Sequence, residues 1–183
     1  LETNITGIAI DSRRVRPGFL FVAVKGTQTD GHAFVDKAIE NGAAALVVCE
    51  PVNAPKASAV VRVSDTEKLV GPIATRFYGD PSHKLRLVGV TGTNGKTTVA
   101  TVLYQLYRGL GYKVGLVSTV CNYIDDRTVE ATHTTPDPIE LNALLAEMVE
   151  AGCDYAFMEC SSHAIHQHRI GGLHFEEIGR AHV

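Results

Sequence analysis

Residues 89–98 read Gly-Val-Thr-Gly-Thr-Asn-Gly-Lys-Thr-Thr, an order of residue types that can grip a chain of phosphates. Glycines let backbone N–H groups turn inward around phosphate oxygens, and the start of a following helix adds the positive end of its dipole. Gly92, Thr93, Asn94, Gly95, Lys96, Thr97 and Thr98 are therefore the candidate nucleotide-binding set. Lys96 can reach β- and γ-phosphates, and the Thr97 hydroxyl can ligate Mg²⁺. A turn that uses glycine only for packing is disfavoured, because the Gly-Lys-Thr triplet sits between a strand and a helix. The general pattern GxxxxGK[ST] is not fully met, since Val90 stands where its first glycine belongs. A second group is Glu159, which ends the apolar run Tyr-Ala-Phe-Met-Glu. A carboxylate at that edge of a sheet can hold Mg²⁺ opposite Thr97.

Other polar groups are more ambiguous. Ser12, in the turn Asp-Ser-Arg-Arg, could meet a diphosphate, yet on residue type alone an ordinary Asp/Ser turn is the stronger reading. Thr134-Thr135-Pro136 is either a donor cluster for an anionic group or a plain helix entry. His163, His166, His168 and His174 crowd one region, but their spacing matches no zinc pattern. Cys49, Cys121, Cys153 and Cys160 form no CxxC and carry no nucleophile motif, so they read as reduced thiols.

The elements that must position these groups fall into two stretches. In the first, 5–10, 19–24, 44–49 and 59–63 are short apolar strand candidates. Residues 32–41 place Phe34, Ala38 and Ile39 on one helical face before Gly42, and Ser64-Asp65-Thr66-Glu67 opens a helix to about Tyr78 in which Pro72 predicts a kink or break. Gly79-Asp80-Pro81-Ser82 reads as a linker. Beyond it, strand 85–90, helix 97–108 and strand 113–118 alternate as in a parallel sheet. A hairpin follows around Asp125-Asp126, then a helix opened by Asp137-Pro138-Ile139-Glu140, then strand 155–159. The expected fold is α/β, a small mixed α/β domain over 1–82 followed by an incomplete P-loop-type parallel-sheet domain over 83–176.

With 183 residues, 17 Lys+Arg against 20 Asp+Glu and 45% hydrophobic residues, the chain has room for one domain or two small ones. The net charge of −3 and the lack of a basic run argue against nucleic acid or an anionic membrane as partner. No apolar stretch approaches the roughly 20 residues of a membrane span, and no secretory signal is visible. The reading is a cytoplasmic monomer.

The loop Thr-Gly-Thr-Asn-Gly-Lys-Thr-Thr resembles the ATP loop of the Mur ligase superfamily, which forms peptide bonds on peptidoglycan precursors. Further segments resemble the MurE type: Asp11-Ser12-Arg13 with Val15, Pro17-Gly18-x-Leu20-Phe21-Val22-Ala23, Gly26 to Gly31 with His32, and Phe77-Tyr78 before Pro81-Ser82. His133-Thr134-Thr135-Pro136-Asp137 and Met158-Glu159-x-Ser161-Ser162-His163-Ala164 with Gln167-His168-Arg169 complete the series. The resemblance covers nearly the whole chain and reverses the reading of Ser12. It implies that Ser12, with Ile10 and the loop Thr27-Gln28-Thr29, binds the UDP-sugar, although this loop differs from the His-Gln of some members. It implies that Thr134 and Thr135 hold the muramoyl peptide near the ATP, and that Ser161, Gln167 and Arg169 contact UDP-MurNAc-L-Ala-D-Glu. The role of His133, where some members carry Asn, stays open. Arg169 is the strongest of these on chemistry, since a guanidinium binds a carboxylate or diphosphate bidentately. The implied activity is ATP- and Mg²⁺-dependent addition of a third amino acid, usually a diamino acid, through an acyl phosphate, with Lys96 and Glu159 as the catalytic pair. A sibling Mur or folylpolyglutamate-type ligase, and a P-loop ATPase or nucleotide-binding module without ligase activity, are the alternatives.

The resemblance also implies segments not found here: an Asn-Leu-x-x-Asp-His-Leu-Asp stretch, a carboxylated lysine for a second Mg²⁺, and a domain that binds the incoming amino acid. The expectation is an inactive fragment. An apolar strand is expected after Leu173-His174-Phe175, but the chain ends Glu177-Ile178-Gly179-Arg180-Ala181-His182-Val183. GAG-ATC-GGA-AGA-GCA-CAC-GTC can encode that heptapeptide and contains a string like a common sequencing adapter. Residues 177–183 are accordingly read as a non-native tail.

Overall fold

A computed structural model of the chain describes residues 3–26, 29–54, 57, 59–130 and 135–181. Two compact units emerge, Leu1–Val70 and Gly71–Val183. In the first, β1 (Gly7–Ala9), β2 (Phe19–Val22), β3 (Ala45–Val48) and β4 (Ala59–Arg62) pair in that order, all parallel. A 3-10 turn, Gly31–Phe34, leads into α1 (Val35–Glu40) between β2 and β3. Phe21, Leu46 and Val48 from the sheet pack with Val15, Val35 and Ala38 as the core of this unit. Gly42 ends α1 as a left-handed residue at φ 100°. Its amide returns to Ile39 O, and the Ala43 amide returns to Ala38 O.

Phe34 departs from expectation. Rather than joining Ala38 and Ile39 on a buried helical face, it is 41% exposed. The Asp30 carboxylate accepts the His32 amide and winds 31–34 as a 3-10 turn, so the α-helical period starts only at Val35. The capping box is also rearranged in α2 (Glu67–Phe77). Asp65 accepts the Lys68 amide, while the Thr66 hydroxyl donates to Ala23 O, and the helix runs on through Pro72 without a break. The boundary between the units lies inside this helix, at Val70/Gly71.

In the second unit a 3-10 turn at Pro81–His83 leads into β5 (Arg86–Thr91), followed by α3 (Lys96–Gly109) and β6 (Val114–Val117). The hairpin β7 (Asn122–Ile124) and β8 (Arg127–Val129) turns at Asp125, whose φ is 51°. Asp137 caps α4 (Pro138–Glu150) by accepting the amides of Ile139 and Glu140, as its spacing predicts. Then come β9 (Tyr155–Glu159), α5 (Ser162–His166) and β10 (Glu177–Arg180). The sheet order is β10-β5-β9-β6-β7-β8, with the first four strands parallel. One face carries Leu87, Val117, Ala156 and Met158 against Leu141, Leu145 and Met148 of α4. The other carries Val90, Leu116 and Phe157 against Ala100 and Tyr104 of α3. Strands covered on both faces need apolar residues at successive positions, which is why they read as continuous runs.

The stretch expected to be a non-native tail supplies β10, in parallel register with Val88–Thr91 of β5. A parallel ladder is made by backbone atoms, and three of these four residues are exposed, so the pairing asks little of their side chains.

Candidate functional site

Strand order assembles the site of the second unit. The chain leaves β5, crosses through α3 and returns as β6, and β9 lies between those two strands. The loops after β5 and β6 and the end of β9 therefore meet at the carboxyl edge of the sheet, where open α/β sheets bind ligands. Val90 lies opposite Glu159 in the ladder.

The phosphate loop bends at Gly92 (φ 137°) and Gly95 (φ 78°), both in the region that favours glycine. A Cβ on Gly92 would also stand 2.7 Å from Ala181 O. Gly95 begins α3 with no side-chain cap, so no side-chain acceptor competes with an anion for the first-turn amides. The Lys96 ammonium folds over the loop and donates to Gly92 O at 2.8 Å and Thr93 O at 3.4 Å.

Glu159 is 1% exposed and, among the described residues, accepts hydrogen bonds from Thr97 and Thr119. Thr97 Oγ1 donates to Oε2 at 3.0 Å, the Thr119 amide to Oε1 at 2.9 Å and Thr119 Oγ1 to Oε2 at 3.1 Å. One carboxylate and two hydroxyls from three segments thus share a point beside the phosphate loop. Hard oxygen donors with a single carboxylate suit Mg²⁺, which takes its remaining ligands from water and phosphate. Among the described residues there is no group of three or more His, Cys, Asp or Glu placed to hold a metal ion. Sequence reasoning missed Thr119. Its only signal is a Ser-Thr pair following a strand, and the crossover topology gives it meaning.

Around this point the other expected residues are already engaged. Thr135 Oγ1 donates to the backbone oxygen of Glu159 at 3.0 Å, and Arg169 Nη1 donates to Thr135 O at 2.9 Å. Ser161 caps α5 by accepting the Ala164 amide, and Gln167 closes it. Burial pushes the neighbouring Cys160 thiol up to about 11, which suits a packing role. Thr134 and His133 lie outside the described residues.

The first unit holds a separate cleft of about 570 Å³. Ile10, Ser12 and Thr29 line it, together with Phe34 and Lys37, which sequence reasoning did not single out for binding. Ser12 is buried in a 3-10 turn that Asp11 caps, and the Asn41 side chain donates to Ser12 O. The Arg13 guanidinium on Asp11 holds that carboxyl below its ordinary value. Thr27 and Gln28 lie outside the described residues. Among the described residues no helix is long and apolar enough to cross a membrane.

Comparison with known proteins gives two family matches. Residues 90–182 match the Mur ligase middle domain, and residues 4–78 match the Mur ligase family, catalytic domain. UDP-N-acetylmuramoyl-L-alanyl-D-glutamate--2,6-diaminopimelate ligase of Phocaeicola vulgatus is 61% identical over 174 residues, covering 94% of this chain and 36% of that protein. The protein of the same name from Bacteroides fragilis is 59% identical over 176 residues, covering 95% of this chain and 36% of its own length. A solved structure of a ligase with this name superposes with a TM-score of 0.82 at 27% identity, over 98% of this chain and 37% of that one. The chain spans about a third of the length of these relatives.

Proposed function

The chain belongs to the Mur ligase family, and on that premise we propose that it is part of an ATP-dependent ligase adding a third amino acid to UDP-MurNAc-L-Ala-D-Glu. The names of the relatives make 2,6-diaminopimelate the proposed third residue. The observation that carries the reading is the meeting of Thr97, Glu159 and Thr119 beside the uncapped start of α3. In the proposed reaction the γ-phosphoryl group of ATP passes to the free D-Glu carboxylate, and the incoming amine displaces phosphate from the acyl phosphate. Carboxylate oxygen is a poor leaving group and phosphate a good one.

This chain's residues contribute alignment and charge. The loop amides of 92–98 and Lys96 hold the phosphates, and Lys96 exchanges its two carbonyl partners for phosphate oxygens. Glu159, Thr97 and Thr119 would hold Mg²⁺, which supplies positive charge between phosphate and carboxylate oxygens that otherwise repel. Thr135 and Arg169 fix the strand end that carries Glu159, and Arg169 retains further N–H donors for a substrate carboxylate or diphosphate. In the first unit Ile10, Ser12 and Thr29, with Thr27 and Gln28, bind the UDP end of the substrate. ATP, a nucleotide-sugar precursor and four free thiols all fit a cytoplasmic setting.

The test joins this segment to the remaining two-thirds of the Phocaeicola vulgatus ligase and supplies UDP-MurNAc-L-Ala-D-Glu, diaminopimelate, ATP and Mg²⁺. Mass spectrometry is expected to find the tripeptide nucleotide with one phosphate released per amide. ATP hydrolysis without amide formation would favour a plain P-loop ATPase. The 183-residue chain alone is expected to bind both nucleotides and form no amide.

A further inference from the structure

His32 follows Gly31, a residue that lines the cleft of the first unit, but does not itself line it. Its side chain is only 7% exposed. Nδ1 is 2.6 Å from Asp30 Oδ1, and Nε2 accepts the backbone amides of Cys49 at 3.0 Å and Glu50 at 3.3 Å. An Nε2 that accepts from two N–H groups carries no proton, so the ring is the neutral tautomer that donates from Nδ1 to Asp30. The imidazole is thus a two-ended strut from Asp30, at the end of the 25–30 loop, to the residues just past β3.

Lys25, Gly26, Thr29 and Gly31 are tied at the same place. Lys25 bridges to Asp30 across the loop and pairs through its ammonium with Glu50. The Gly26 amide bonds Thr29 O, and the Gly31 amide bonds Val24 O at 2.8 Å. Val24, Gly26, Thr29 and Gly31 all line the cleft. Both ends of the loop are therefore anchored to Glu50, one through Lys25 and one through His32. Of the two anchors, Lys25 to Glu50 is exposed and His32 is enclosed, and enclosed hydrogen bonds hold geometry better than surface ion pairs do.

We infer that His32 is a positioning residue for the UDP-sugar, clamping the cleft wall formed by Val24, Gly26, Thr29 and Gly31 to the end of β3 without touching the ligand. This inference rests on the proposed reading of the cleft. Removing the ring leaves the Cys49 and Glu50 amides without this acceptor and leaves Asp30 with the His32 backbone amide but not the ring, so the link from Asp30 to the end of β3 is cut.

The test measures binding of UDP-MurNAc-L-Ala-D-Glu and of Mg·ATP to the 183-residue chain by calorimetry. It compares the unsubstituted protein with Ser12→Ala, His32→Ala and His32→Gln, and follows amide exchange at Cys49 and Glu50. Ser12→Ala tests the cleft reading by itself. His32→Ala is expected to weaken the UDP-sugar about tenfold, equivalent to about 1.4 kcal/mol, to leave Mg·ATP affinity unchanged and to speed exchange at the two amides. His32→Gln, whose side-chain oxygen can accept the same amides, is expected to recover most of the affinity. UDP-sugar affinity unchanged in His32→Ala overturns the clamp. Loss of both ligands in both His32 variants also overturns it, since that marks a general folding role. No binding by the unsubstituted chain, or none lost in Ser12→Ala, defeats the cleft reading and the clamp with it.

Discussion

Replacing Glu159 by Gln separates the charge of this side chain from its shape. The amide oxygen can still accept from Thr119 N, and the two threonine hydroxyls can rotate to accept from the new NH₂ group. The fold is therefore expected to lose no more than about 1 kcal/mol. The ligand chemistry changes far more. Unit charges about 4 Å apart interact by about 4 kcal/mol at an effective dielectric of about 20, and a divalent ion doubles the gross figure before solvent exchange is subtracted. A net loss of about 3–4 kcal/mol corresponds to a factor of about 10²–10³ in affinity for the magnesium-bound nucleotide. Without Mg²⁺ the sign reverses, because the wild-type carboxylate repels the phosphates and the amide does not. Titration of a fluorescent ATP analogue in Mg²⁺ and in EDTA reads both arms. Glu159→Gln is expected to bind more weakly than wild type in Mg²⁺ and as well or better in EDTA. Equal Mg²⁺ enhancement in the two proteins would refute the assignment of Glu159 to the ion.

Thr119→Val is expected to lower Mg·ATP affinity while Thr119→Ser restores it, since only the hydroxyl reaches Oε2; equal loss in both variants would show that packing is responsible. Leu145→Ala, at a position with no exposure between α4 and the sheet, is expected to cost about 2–5 kcal/mol in urea unfolding. Alkylation of the native chain at pH 8 is expected to label the half-buried Cys49 and Cys121 before Cys153 and Cys160, whose thiols burial pushes up; peptide mass mapping reads the order. The Arg13 side chain, the His32 amide and the Lys68 side chain hold Asp11, Asp30 and Asp65 respectively below 3.8. Lowered carboxylates contribute stability that is complete above that value and is lost as pH falls through their lower folded values. The contribution of these three carboxylates to thermal stability is thus expected to be held above about pH 5 and lost progressively as pH falls, with a shallower acid decline in the melts of Asp30→Asn and Asp65→Asn.

Features that depend on neighbours in sequence were readable in advance. The glycines and lysine of 92–98, the Asp137 cap and the Asp125 turn each act within a few residues, so local spacing carries their meaning. Groups whose partners are distant are harder to read: Glu159 and Thr97, 62 residues apart, are legible because a strand end and a phosphate loop mark them, and others carry no such mark. Thr66 looks like part of a cap until Ala23 O, 43 residues away, claims its hydroxyl. Thr119 is an ordinary strand-end residue until β9 inserts beside β6. Ser12 reads on its own type as an ordinary turn residue; the family resemblance reverses that reading, and the fold sets Ser12 in a cleft with Ile10 and Thr29. Phe34 was misplaced because a single side-chain-to-backbone bond from Asp30 delayed the helical period by one turn.

The insertion of β9 between β5 and β6 also bears on how the unit comes into being. β5 and β6 share no ladder, so neither can pair on that side until residues 155–159 have been made. A chain emerging from its amino end can form the phosphate loop and α3 early, but those elements wait some 60 residues for the strand that joins them. That joining strand ends in Glu159. The second unit therefore cannot acquire a continuous sheet without acquiring, in the same step, the carboxylate that faces its phosphate loop.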